Sequence, residues 1–145
     1  MPFRNDLEFG TKYEEIALNE YIEYDNYERP PKEKRLFYDF LITKGETLLK
    51  YEIKADRMAY KTHNLCIELF NNDKLSGLSS TEADYYIYFI INNRTVVRVY
   101  KIPTEALRVL VKDREIKSGG DGRKSKFVLL NIDIVKEYII TKKSI

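Results

Sequence analysis

Alternation of apolar and polar residues is clearest between Leu36 and Ala55. Two runs, Leu36 to Thr43 and Leu48 to Ala55, flank Lys44-Gly45-Glu46-Thr47. Side chains along a strand point to opposite faces in turn, so the pattern predicts a hairpin. Glycine at the first central position suits a type II′ turn. With Gly45 and Glu46 as that turn, Lys44 pairs with Thr47 and Asp39 falls directly opposite Glu52. One face then collects Leu36, Tyr38, Phe40 and Ile42 with Leu49, Tyr51, Ile53 and Ala55, and reads as core. The other collects Phe37, Asp39, Leu41 and Thr43 with Lys50, Glu52 and Lys54.

Elsewhere the period changes. From Gly10 to Tyr24, Tyr13, Ile16, Ala17 and Tyr21 recur at the spacing of one helical face. Asp25 to Arg35 is charged, contains Pro30-Pro31 and reads as a loop. A third strand is expected at Leu65 to Phe70. Ser79-Ser80-Thr81-Glu82 matches a capping box and predicts a short helical turn within Ser76 to Asp84. Tyr85 to Ile91 and Thr95 to Lys101 form a second hairpin around Asn92-Asn93-Arg94. Pro103-Thr104-Glu105 opens a helix through Leu107, Leu110 and Val111. Gly119 to Gly122 reads as a flexible loop, Phe127 to Leu130 as a strand and Asp133 to Ile140 as a terminal helical segment. The class is mixed α+β or α/β, in a single domain spanning residues 1–145.

Composition narrows the function little. The formal charge of +2 does not by itself mark a nucleic-acid binder, although local basic clusters remain. No long apolar run suggests a spanning helix, so no membrane partner is expected. The opening MPFRNDLEFG lacks the apolar centre of a secretory signal. One cysteine, Cys66, rules out an internal disulfide and fits a reducing compartment. An intracellular, cytoplasmic protein is expected.

The hairpin carries the chemistry. Two carboxylates opposed across strands, with Cβ atoms roughly 5 Å apart, repel unless a cation or proton lies between them. Oxygen ligands of that kind suit hard divalent cations. Lys54, on the same face, offsets some of the charge or helps position a nucleophile. The bland alternative is a solvated strand face.

A helix glutamate followed by a hairpin bearing Asp and Glu-x-Lys resembles the PD-(D/E)XK nuclease superfamily. Asp39 and Glu52-Ile53-Lys54 match its D…ExK part. Gly10-Thr11-Lys12-Tyr13-Glu14 supplies the preceding helix and its glutamate. Thr62-His63-Asn64-Leu65-Cys66-Ile67-Glu68 and Gly77 to Tyr85 look like a small virus- or phage-type branch, and the likeness covers roughly residues 10 to 130. Tyr38 stands where the namesake proline would be. Glu14 and Glu15 are adjacent, and Glu14 fits the glycine-to-glutamate spacing. The resemblance implies a restriction-endonuclease-like core, a central mixed sheet flanked by helices, and Mg²⁺- or Mn²⁺-dependent hydrolysis of DNA. Asp39, Glu52 and Glu14 would be the metal ligands, with Lys54 catalytic beside them. It leaves open a homodimer, an RNA substrate, and a host-cell location if the source is viral. A catalytically inactive nucleic-acid-binding or assembly protein of the same fold is the alternative.

Other residues offer weaker signals. Ser80 and Thr81 can meet phosphate at a helix start or simply cap that turn. Arg123, Lys124 and Lys126 follow glycines without P-loop spacing, and are read either as contacts to a DNA backbone or as a solvated loop. Glu68 is expected as a rim carboxylate and His63 as a loop histidine. Cys66 is expected as buried filler, without a base to make it a nucleophile.

Overall fold

The computed structural model describes residues 2–120, 122 and 124–140. It is a mixed α+β fold around a central five-stranded mixed sheet with flanking helices. The strands of that sheet are β1 (Asn26–Glu28), β2 (Phe40–Lys44), β3 (Thr47–Asp56), β6 (Tyr85–Asn92) and β7 (Thr95–Pro103), in the order β1-β2-β3-β6-β7. Only β3 and β6 run parallel. The β2–β3 register runs from Lys44↔Thr47 to Phe40↔Tyr51, as the turn requires. Gly45 sits at φ 60, a conformation in which glycine meets no Cβ penalty. In the β6–β7 turn Asn93 and Arg94 have φ 48 and 71, the pair of left-handed residues a type I′ turn needs.

β6 is buried from Tyr86 to Ile91 because protein covers both of its faces. Ile87, Phe89 and Ile91 pack with Tyr13, Ala17 and Leu18 of the N-terminal helical segment, α1 (Pro2–Ile16) and the π turn Ala17–Tyr21 that continues it. Tyr86, Tyr88 and Ile90 point the other way, into a core shared with a second sheet. That sheet is antiparallel, in the order β5-β4-β9-β8: β5 (Lys74–Leu75), β4 (Asn64–Asn71), β9 (Ser125–Asn131) and β8 (Lys117–Gly119). Two short helices, α2 (Ala59–Thr62) and α3 (Thr104–Val111), and a 3-10 segment at Ile132–Tyr138 close this side. The molecule thus stacks helix, mixed sheet and antiparallel sheet, with a core in each gap. Among the described residues no helix is long and apolar enough to cross a membrane.

Several expectations are corrected. The helix starts well before Gly10 and ends in the π turn. The expected loop Asp25 to Arg35 contains β1, which pairs with β2. The strand expected from Leu36 begins only at Phe40, and Leu36, assigned above to the core, is 88% exposed. The cause is backbone competition: the Phe37 carbonyl accepts from Glu82 N–H and from the Thr81 hydroxyl, drawing the chain out of the ladder. The helical turn expected at the capping box forms earlier, at Gly77–Ser79, with no side-chain cap. Gly77 is required there, because φ is 51 and a Cβ would meet the Glu68 carbonyl oxygen at 2.4 Å. Gly119, expected in a loop, instead ends β8 and pairs with Ser125 of β9. Cys66 is exposed on β4 instead of buried.

Candidate active site

Asp39 lies one residue before β2 and is fastened to β3 twice. Its N–H donates to the Tyr51 carbonyl at 2.8 Å, and its Oδ2 accepts from the Ile53 N–H at 2.7 Å. The carboxylate is therefore held across the strand beside Glu52, as the hairpin register implies. Glu52 has a side chain only 15% exposed, and Lys54 Nζ stands 3.5 Å from its Oε1. Two half-buried carboxylates and one lysine thus share one end of the site.

Their protonation follows first from burial and then from the shortage of positive charge. Burial pushes the Asp39 carboxyl up to about 8; the charges of Glu52 and Glu14 add to the rise, while the Ile53 N–H and Lys54 oppose it. Burial raises Glu52 too, against the pull of Lys54. For Lys54, desolvation works to lower the pKa, but Glu52, Asp39 and Glu68 outweigh it and hold the ammonium protonated. Glu14 acts on both carboxylates while its own Oε1 accepts from Arg29 Nη1 at 2.7 Å. Its neighbour Glu15 is exposed.

Beside this set a cleft of about 470 Å³ opens, lined by Glu52, Lys54, Glu68 and Tyr86 with Ser80 and Thr81. Arg35 and Lys74 also line it, and neither stood out in the sequence. Arg35 sits in a charged turn and Lys74 on the two-residue strand β5, and neither has a periodicity to aim it. Arg29, the partner of Glu14, was equally silent. The close packing of Gly77 on Glu68 brings the Gly77–Ser79 turn, and Ser80 after it, to this wall. The Thr81 hydroxyl is engaged, donating to the Phe37 carbonyl and accepting from the Ala83 N–H. Lys124 and Lys126 are exposed on the β8–β9 hairpin; the Lys124 carbonyl accepts from the N–H of Asn72, another residue of the cleft wall. Arg123 lies outside the described residues.

The donor set decides what these residues can hold. Among the described residues no group of three or more His, Cys, Asp or Glu side chains is close enough to enclose an ion. Asp39 and Glu52 offer two hard oxygen donors. Mg²⁺ keeps several waters and is commonly bound through one or two carboxylates plus substrate phosphates. The pair fits such an ion, and its raised pKa values are those of carboxylates drawn out of water with a single lysine beside them. A thiolate site is disfavoured, since desolvation and the carboxylates of Asp56 and Glu68 push Cys66 up to about 11.

The chain matches no family model and no curated protein.

Proposed function

We propose that this protein is a divalent-metal-dependent endonuclease that hydrolyses phosphodiester bonds in DNA. The observation that carries the reading is Asp39 fastened across β3 beside Glu52, with Lys54 in reach, next to an open cleft. The resemblance to PD-(D/E)XK nucleases points the same way. Asp39 and Glu52 would hold Mg²⁺ or Mn²⁺, with Glu14 joining directly or through water once released from Arg29. When bound, the ion supplies Lewis-acid polarisation of the phosphate and a lowered pKa for water.

The chain's own residues do the rest. Lys54 stays protonated, so it acts as a cation toward the charge developing on the phosphate and not as the base. Arg35 and Lys74 attract the backbone to the cleft. In the reaction water oxygen bonds to phosphorus, one P–O ester bond breaks, one water proton leaves to solvent, and the departing sugar oxygen takes up a proton from solvent to leave as an alcohol. Ser80, which lines the cleft, would meet phosphate, whereas the Thr81 hydroxyl is taken up by the fold.

A non-catalytic nucleic-acid-binding protein is the second reading, favoured by the Glu14–Arg29 ion pair, which occupies the third carboxylate. Incubation of duplex, single-stranded and branched DNA with Mg²⁺, Mn²⁺ or EDTA separates the two. Cleavage that needs the metal supports the nuclease. A folded, DNA-binding chain that cuts no substrate in the panel overturns it.

A further inference from the structure

Beyond the C-terminal ends of β3 and β6, on ground the carboxylate site does not use, two neighbouring hollows of about 520 and 570 Å³ share Tyr60. His63, Val97 and Arg98 help to line one, and Arg57, Lys61 and Arg94 the other. Among the described residues no carboxylate lines either hollow, and none pairs with Lys61, Arg94 or Arg98. Asp56 is near in sequence, but its Oδ1 accepts from the N–H groups of Met58 and Ala59 and holds the start of α2. Tyr60, on α2, is 47% exposed.

Backbone irregularities aim these groups. The β6–β7 register passes from Ile90↔Arg98 to Ile91↔Val96, leaving Val97 unpaired as a bulge. Val96 and Val99 both pack toward the α1 side, although simple alternation would separate residues three apart. The extra residue puts Val97 and Arg98 together on the Tyr60 side. His63 adopts φ 61, unusual outside glycine, and its carbonyl accepts from Ile132 N–H at 2.9 Å. Arg94 sits at φ 71 in the hairpin turn.

From this geometry we infer that the Tyr60 surface binds an unpaired polynucleotide strand. Cations placed around an exposed aromatic ring match a chain of phosphates carrying flat bases. The surface lies on the same strand pair as the carboxylates: Ile90, which lines one hollow, is four residues past Tyr86, the register partner of Glu52, or about 13 Å along the strand. The inference rests on this surface alone and not on the nuclease reading.

The test is fluorescence anisotropy of labelled oligothymidylate with the full chain in EDTA, which reads binding without cleavage. A duplex and an oligouridylate of equal length are run beside it. The Lys61→Ala/Arg94→Ala/Arg98→Ala variant should bind the strand at least tenfold more weakly. Its log–log salt slope should fall by about two, since each phosphate neutralised on a single strand contributes roughly 0.7. Tyr60→Ala should weaken strand binding about 5- to 100-fold and leave duplex binding nearly unchanged, while Tyr60→Phe keeps both. Oligouridylate bound more tightly than oligothymidylate would make RNA the strand it takes. Unchanged affinity and slope in the triple variant, with a wild-type circular dichroism spectrum, overturn the proposal. So does an equal loss for duplex and strand in Tyr60→Ala. Strand binding that follows these residues in a chain that never cleaves would sink the nuclease reading and leave this surface standing.

Discussion

The strand β3 carries two clusters of lysine and carboxylate, and they are opposites. At Lys50, Glu82 receives two ammonium groups, Lys34 at 2.7 Å and Lys50 at 3.0 Å, and these bonds lower its pKa. Two residues along, Glu52 and Asp39 share a single lysine, and both carboxyls are raised. The first cluster has its countercharge and serves to join β3 to the segment before β6. The second is short of one cation. Two carboxylate clusters along one strand thus differ in charge balance more than in residue type, and perturbed carboxylates of the second kind are the ones that the proposed metal site uses.

Cleavage should break the comparison most sharply. Asp39→Asn, Glu52→Gln and Lys54→Ala are each expected to lose about a hundredfold or more in rate, the usual cost of removing one preorganised electrostatic contact. Glu82→Gln, changed in the balanced cluster, should cut DNA within a few-fold of wild type. Initial rates of supercoiled-plasmid cleavage in Mg²⁺, on proteins with matching circular dichroism, give the answer. Loss in Glu82→Gln equal to that in Asp39→Asn would erase the distinction.

Stability against pH should separate the clusters next. Asp39 rises from an unfolded value near 3.9 to about 8 in the fold, so between those values the folded state holds more proton. Its stabilising effect is complete below about pH 4 and is lost as pH rises through about 8. Metal-free protein should therefore melt lower as pH climbs across that window, and Asp39→Asn should flatten the fall. Glu82 has the opposite sign. Its lowered pKa stabilises the fold above the unfolded value and is lost as pH falls into the acid range. Glu82→Gln should flatten only the acid side, and by little, because the pair is partly exposed. Melting curves from pH 4 to 8 that coincide for wild type and Asp39→Asn would contradict the charge shortage.

The smallest effect is expected at Leu36. At 88% exposure its replacement by serine should change stability by about 0.5 kcal/mol or less, whereas Phe40→Ala, fully buried four residues on, should cost about 3–5 kcal/mol. Urea titration distinguishes them. A large loss at Leu36 would return that segment to the core.

Leu36 also marks where the sequence stopped being legible. The β2–β3 register and the opposition of Asp39 and Glu52 followed from alternation and one glycine, because both are local. The departure of residues 36–38 from the strand depends on Phe37 meeting Thr81 and Glu82, more than forty residues away. No pattern near Leu36 encodes that. The second sheet was hidden for the same reason: β4 alternates like any half-buried strand, and only pairing with β9 takes it out of the central sheet. Arg29 after β1, Arg35 in a turn and Lys74 on β5 reach the site from short segments whose direction the tertiary fold sets. Tyr85 to Ile91 was readable as a strand, yet its burial on both faces needed both layers to be seen.

Titration calorimetry of Mn²⁺ into the metal-free chain tests the central claim most directly. Wild type and Glu82→Gln should each bind the ion, with the same heat per site, and Asp39→Asn/Glu52→Gln should show only dilution heat. Equal binding by wild type and the double variant, or no binding by a folded wild type, would contradict a cation site at Asp39 and Glu52.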